Sequence, residues 1–176
     1  MKYMICGLLA GIILSQTVNV SAEGLPKKEQ KNIVGMHNMY RNPLKLEKLE
    51  WSDSLAISAQ NWADILENNS CPLQHSPAEL RNNYGENLYA GWSTDSSYRI
   101  SIKNGVRAWA QEKSYYQYKN NSCAPNQMCG HYTQMVWKNT RNVGCAVARC
   151  TVPGQTTEIL ICHYDPPGNY IGEFPY

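Results

Sequence analysis

Apolar positions along the chain follow two periods. Ile33, Met36 and Tyr40 recur at helical spacing with His37 on the same stripe, and they predict a first helix that stops before Pro43. Ser52-Asp53 reads as the cap of a second helix that buries Leu55, Ala59, Trp62 and Leu66. A loop rich in Pro and Asn follows over 71–83, then a short strand over 87–92. Ile102, Val106, Trp109 and Lys113 mark a third helix expected over 97–114, and 131–137 a further short one with Gly130 at its start. The alternating run 143–150 and the strand-like run 157–164, joined at Pro153-Gly154, predict a hairpin of two strands. Too few strands alternate with helices for a doubly wound sheet. The pattern predicts an α+β fold with helices layered on a small sheet.

The 176 residues hold one ordinary domain. Met1-Lys2-Tyr3, an apolar run from Met4 to Leu14 and the small-residue site Val20-Ser21-Ala22 read as a secretory signal over 1–22. The apolar run is too short to span a bilayer, which takes about 20 residues. The expected mature chain is therefore 23–176, secreted, extracellular, a monomer and not an integral membrane protein. Loss of Lys2 brings the formal charge from +2 to +1, which gives no basic footprint for nucleic acid. With 43% apolar and 17% charged residues the chain is not a disordered tail.

Removal of the signal takes Cys6 and leaves Cys71, Cys123, Cys129, Cys145, Cys150 and Cys162. An even number in a secreted chain predicts three disulfides, and the absence of C-x-x-C argues against a zinc site of cysteines. Cys145 and Cys150 fall on opposite faces of one strand and cannot pair. Cys150 and Cys162 flank the Pro153-Gly154 turn, and Cys123 and Cys129 close a short loop. The expected bridges are thus Cys150–Cys162, Cys123–Cys129 and, by remainder, Cys71–Cys145. Asn68 and Asn120 head N-x-S sequons and are glycosylation candidates.

Four short motifs then stand out in order. They are His37-Asn38-x-x-Arg41, Gly85-Glu86-Asn87-Leu88, Gly130-His131-Tyr132-Thr133-Gln134-Met135-Val136-Trp137, and Ile159-Leu160-Ile161-Cys162-His163-Tyr164-Asp165-Pro166-Pro167-Gly168-Asn169-Tyr170. Together with the six cysteines they resemble the CAP superfamily (SCP domain), which groups cysteine-rich secretory proteins, venom antigen five and the plant pathogenesis-related proteins. The chain ends at Pro175-Tyr176 with no cysteine-rich extension, and so is most similar to the pathogenesis-related protein 1 group. The resemblance implies a single-domain α-β-α sandwich and a shallow cleft. Its residues would be His75, Glu86, Glu112 and His131. Neutral imidazoles are good ligands for zinc, and two can anchor an ion weakly with water completing the shell. His37, on an apolar stripe, reads as a core histidine. His163, where the family commonly has Asn, reads as a local variation. The Tyr115-Tyr116-x-Tyr118 cluster reads as rim packing.

What the resemblance implies about function is a defence protein, secreted to the apoplast if the source is a plant, that binds a sterol or fatty acid. Catalysis is not expected, since H-E-x-x-H, G-x-S-x-G and any nucleophile-plus-base motif are absent. A metal-dependent hydrolase at the two histidines is the weaker alternative. Another alternative is a precursor whose eleven C-terminal residues, from Pro166 to Tyr176, are released at the Asp165–Pro166 junction as a signal for a receptor. In plant relatives a similar junction carries Asn where His163 stands. Three prolines and two glycines in that tail predict an extended surface strap open to proteolysis.

Overall fold

Serine caps open two of the four helices. Ser52 Oγ accepts the Leu55 N–H and starts the helix Asp53–Asn68, and Ser101 Oγ accepts the Asn104 N–H and starts Ile102–Gln111. A computed structural model describes residues 24–176; the expected signal over 1–22 lies outside the described residues. Within them the helices are α1 (Lys27–Arg41), α2 (Asp53–Asn68), α3 (Ile102–Gln111) and α4 (Gly130–Met135). The strands are β1 (Glu50–Trp51), β2 (Gly85–Ser93), β3 (Tyr116–Gln117), β4 (Ser122–Cys123), β5 (Asn142–Val152) and β6 (Gln155–Asp165). α3 is shorter than the apolar period suggested. The chain before it is held in a turn, where Ser97 donates to Asp95, and the chain after it tightens into a 3-10 turn over Glu112–Ser114. No helix among the described residues is long and apolar enough to cross a membrane.

The main sheet runs β1-β5-β6-β2, with β1 parallel to β5 and the other pairs antiparallel. Alternation along β5 and β6 splits the core between two faces. Val143, Cys145, Leu160, Cys162 and Tyr164 join the α1, α3 and α4 side. Ala146, Ala148, Cys150, Ile159 and Ile161 join α2. The result is the expected three-layer α-β-α sandwich. Gly144 lets α2 lie directly on β5, because a Cβ there would collide with the backbone of Ser52, Leu55 and Ala56.

Among the described residues there are three disulfides, but two pairings differ from expectation. The bridges are Cys71–Cys150, Cys123–Cys129 and Cys145–Cys162. Register decides this. Pro153-Gly154 forms a two-residue turn with Val152 opposite Gln155, so counting back puts Cys145 opposite Cys162 and Cys150 opposite Thr157. Cys162 therefore shares a face with Cys145. Cys150 points to the α2 layer, where Cys71 follows the end of that helix.

His37 and Arg41, from the first motif, are both fully buried. The His37 Nδ1–H donates to the Ile33 carbonyl at 2.8 Å, which fixes the tautomer. Its Nε2 then accepts the Tyr164 hydroxyl at 2.9 Å. Burial holds its pKa down at about 4, the Ile33 bond offsets part of that, and the Arg41 charge adds to the lowering. The native state therefore binds this proton less readily than the unfolded chain. The stability associated with neutral His37 is complete above about pH 6.5 and is lost as pH falls toward 4. We expect it to cost about 2.5 kcal/mol between pH 7 and 4.5. In urea titrations at the two pH values, His37→Gln should lose less stability on acidification than the wild type; an equal loss would contradict the assignment.

Candidate functional site

Glu86 lies near the start of β2 on the face that looks toward α2. Opposite it in register stands His163 of β6. Its side chain is 1% exposed yet fully hydrogen-bonded. Oε1 accepts the His75 Nδ1–H at 2.6 Å and the Ser76 backbone N–H at 3.0 Å. Oε2 accepts the Ser76 hydroxyl at 2.7 Å and the His163 Nε2–H at 3.0 Å. Burial by itself would raise the Glu86 pKa, but the bonds from His163, His75 and Ser76 outweigh it and hold the carboxyl at about 2. His163 is completed by Ser58 of α2, whose hydroxyl lies 3.1 Å from Nδ1. The four groups Ser58, His163, Glu86 and His75 thus form one chain along the α2 face of the sheet. His163 is therefore not the local variation that its sequence position suggested. The strand register was the signal that could have found it.

The second acid–histidine pair is built differently. Glu112 sits in the 3-10 turn after α3 and caps α4. Oε2 accepts the backbone N–H groups of His131 and Tyr132 at 2.9 and 3.1 Å. Oε1 accepts the His131 Nδ1–H at 2.6 Å. The Trp109 ring stacks on His131 at a centroid distance of 6.1 Å. Asn87 donates to the His131 carbonyl and to the Tyr164 hydroxyl, which joins this pair to the buried His37 network.

His75, Glu86 and His131 line one open cavity of about 320 Å³, with Asn169 from the C-terminal tail in its wall. Both imidazoles are oriented alike: Nδ1 is fixed by a carboxylate, which leaves Nε2 available. His75 is 59% exposed and His131 20%. Among the described residues no group of three His, Cys, Asp or Glu side chains is placed to hold a metal ion. Met128 forms part of the wall, and Leu73 and Leu80 stand exposed on the loop that carries His75.

The tail after β6 has no helix or strand, as expected of its prolines. It is nevertheless docked. Lys138 N–H donates to the Pro175 carbonyl, Asn121 Nδ2 to the Glu173 carbonyl and the Tyr118 hydroxyl to the Tyr176 carbonyl. Tyr118 and Tyr176 stack at 4.7 Å, and Tyr118 also meets Phe174 edge-on. The tyrosine cluster of 115–118 is thus partly the seat of the tail. Of the junction residues, Asp165 accepts Arg141 N–H and Pro166 accepts the Thr140 hydroxyl through their carbonyls. Both sequon asparagines, Asn68 and Asn120, are exposed.

A model of the Cysteine-rich secretory protein family matches residues 34–164. Pathogenesis-related protein 1A of Nicotiana tabacum is 41% identical over 150 residues, 85% of this chain and 82% of the relative. Pathogenesis-related protein 1 of Arabidopsis thaliana is 37% identical over 169 residues, 96% of this chain and 93% of the relative. The solved structure of BmVAL-1 superposes with a TM-score of 0.71 at 32% identity, covering 88% of this chain and 85% of that one.

Proposed function

The chain belongs to the cysteine-rich secretory protein family, and from that premise we propose that it is a secreted defence protein that acts by binding at the His/Glu cleft. The observation that carries this is the matched pair of imidazoles. Each Nδ1 is 2.6 Å from a carboxylate oxygen, and both rings border one cavity. A carboxylate behind a histidine orients it and raises its basicity as a ligand. Neutral Nε2 atoms are the donor type that a weakly held divalent ion such as zinc takes, with water completing the shell. When bound, the ion would supply a positive centre at the cleft floor.

Catalysis fits less well. A carboxylate held at about 2 and satisfied by four donors is a poor general base, and the Ser76 hydroxyl is committed to that same carboxylate. We expect calorimetric titration of zinc at neutral pH to show saturable binding. His131→Ala should abolish it, and Glu112→Gln should weaken it about 10–100-fold. Wild-type affinity in His131→Ala would overturn the metal reading.

A lipid ligand is favoured by exposed apolar side chains, Met128 in the cleft wall and Leu73 and Leu80 on the loop that carries His75. That arrangement suits a sterol or fatty acid whose polar head enters the cleft. Saturable uptake of a labelled sterol, reduced by Leu73→Asp together with Met128→Asp, is the expected result; non-saturable uptake would sink it. Release of residues 166–176 as a signal is a further reading. The docked tail must detach before a protease reaches the junction. Tyr118→Ala, which removes the stack on Tyr176, should therefore hasten its loss, followed by mass spectrometry.

A further inference from the structure

A second cavity, of about 300 Å³, lies between the docked tail and the body. Tyr116, Ser122, Thr133 and Trp137 line it from the body, and Tyr170 and Glu173 from the tail. Trp137 is 1% exposed, and its indole N–H is, among the described residues, the buried side-chain polar atom without a hydrogen-bond partner. Such donors are rare and call for a partner. The indole is also held in place: Gly168 of the tail lies so close to its face that a Cβ would overlap the ring. Tyr170 adds a tilted ring at 6.1 Å from Trp137.

The lining selects a ligand class. It offers aromatic rings, hydroxyls, amides and one carboxylate, and neither Lys nor Arg. Without a cation it does not suit phosphate or another anion. Aromatic rings want apolar C–H faces, and the Ser122 and Thr133 hydroxyl oxygens and Glu173 want hydroxyl donors. A pyranose ring has C–H faces and a rim of hydroxyls that both donate and accept. The volume stands at the small end of ligand pockets, about 300–1,000 Å³, which suits a single sugar unit.

We propose that this cavity binds a neutral saccharide unit, held between the tail and the α4 side of the domain. Because the tail forms the roof, an occupied site fastens the tail, and loss of 166–176 destroys the site. The cavity shares Cys129, Gly130 and Asn169 with the wall of the His/Glu cleft, but the proposal does not depend on metal or lipid binding there.

The test uses the full mature chain and methyl β-glucopyranoside. The chain has five tryptophans, so its indole N–H resonances can be followed one by one by heteronuclear NMR. Titration should move the Trp137 resonance saturably. Tyr170→Ala, which replaces a 52% exposed side chain and leaves the core alone, should weaken binding at least tenfold. Glu173→Gln should weaken it less, and Val152→Ala, an exposed residue at the β5–β6 turn, should leave it unchanged. The methyl glucuronide, which carries a carboxylate toward Glu173, should bind several-fold more weakly. A Trp137 resonance that does not move, or that moves equally in Tyr170→Ala, would overturn the proposal and leave the cavity to water. Glucuronide binding as tight as that of the neutral sugar would overturn it as well.

Discussion

Replacing Cys71 and Cys150 together by alanine should lower the unfolding free energy by about 4.5 kcal/mol, the chain-entropy value for closing a loop of roughly 80 residues. The bridge joins residues separated by 79 positions. It fastens the end of α2 and the start of the His75 loop to β5. Whole domains have about 5–15 kcal/mol in total, so the variant should lose a large share of its stability and melt well below the wild type. Removing Cys145–Cys162, separated by 17 positions, should cost less, about 3 kcal/mol. That bridge joins residues already paired in the β5–β6 ladder. Urea unfolding of the two double variants measures both values. A larger loss for Cys145–Cys162 would contradict the argument, and peptide mapping that found Cys71 joined to Cys145 would contradict the register.

The second large effect is expected at Arg41. Its guanidinium is fully buried and donates to four backbone carbonyls, those of Glu47, Met135, Trp137 and Thr140. It thereby ties the end of α1 to the segment between α4 and β5, directly behind the His131 helix. Burial lowers its pKa, and the Arg141 charge lowers it further while Glu47 opposes, yet at about 10 it stays charged at neutral pH. Arg41→Met keeps much of the volume and deserts all four acceptors. Each abandoned buried group costs about 1–3 kcal/mol, so the loss should be at least about 4 kcal/mol. Arg41→Lys should recover only part of it, because a single ammonium has three donors and cannot span the fork. Thermal unfolding of the pair tests this; Arg41→Met with wild-type stability would show that the carbonyls find water instead.

Much of the fold follows from local pattern. The stripe Leu55, Ala59, Trp62 and Leu66 with its Ser52 cap became α2, and all four residues are buried. The strand-like runs 143–150 and 157–164 became the β5–β6 hairpin, extended by one to two residues at each end. The four cleft residues His75, Glu86, Glu112 and His131 were named from motifs, and they do form two bonded pairs, of which His75, Glu86 and His131 border one cavity. Two-residue strands such as β1, β3 and β4 carry no period and were invisible. Helix periodicity cannot tell where a 3-10 turn begins, so α3 was drawn too long.

The remaining differences have one cause. The sequence determines which face of its own element a residue occupies, because period 2 and period 3.6 are local properties. It does not by inspection determine what stands across from that face. Cys145 and Cys150 were correctly placed on opposite faces, but their partners depended on register between strands. That register paired Cys145 with Cys162 and sent Cys150 to Cys71. The same step of register brought His163 against Glu86, 77 residues away, and made it part of the cluster. Proline content foretold a tail without regular structure. Only the stacking of Tyr118 on Tyr176 and the capture of tail carbonyls by Asn121 and Lys138 decided that it lies docked. Such contacts join residues 37 to 58 positions apart in sequence, and no local period records them.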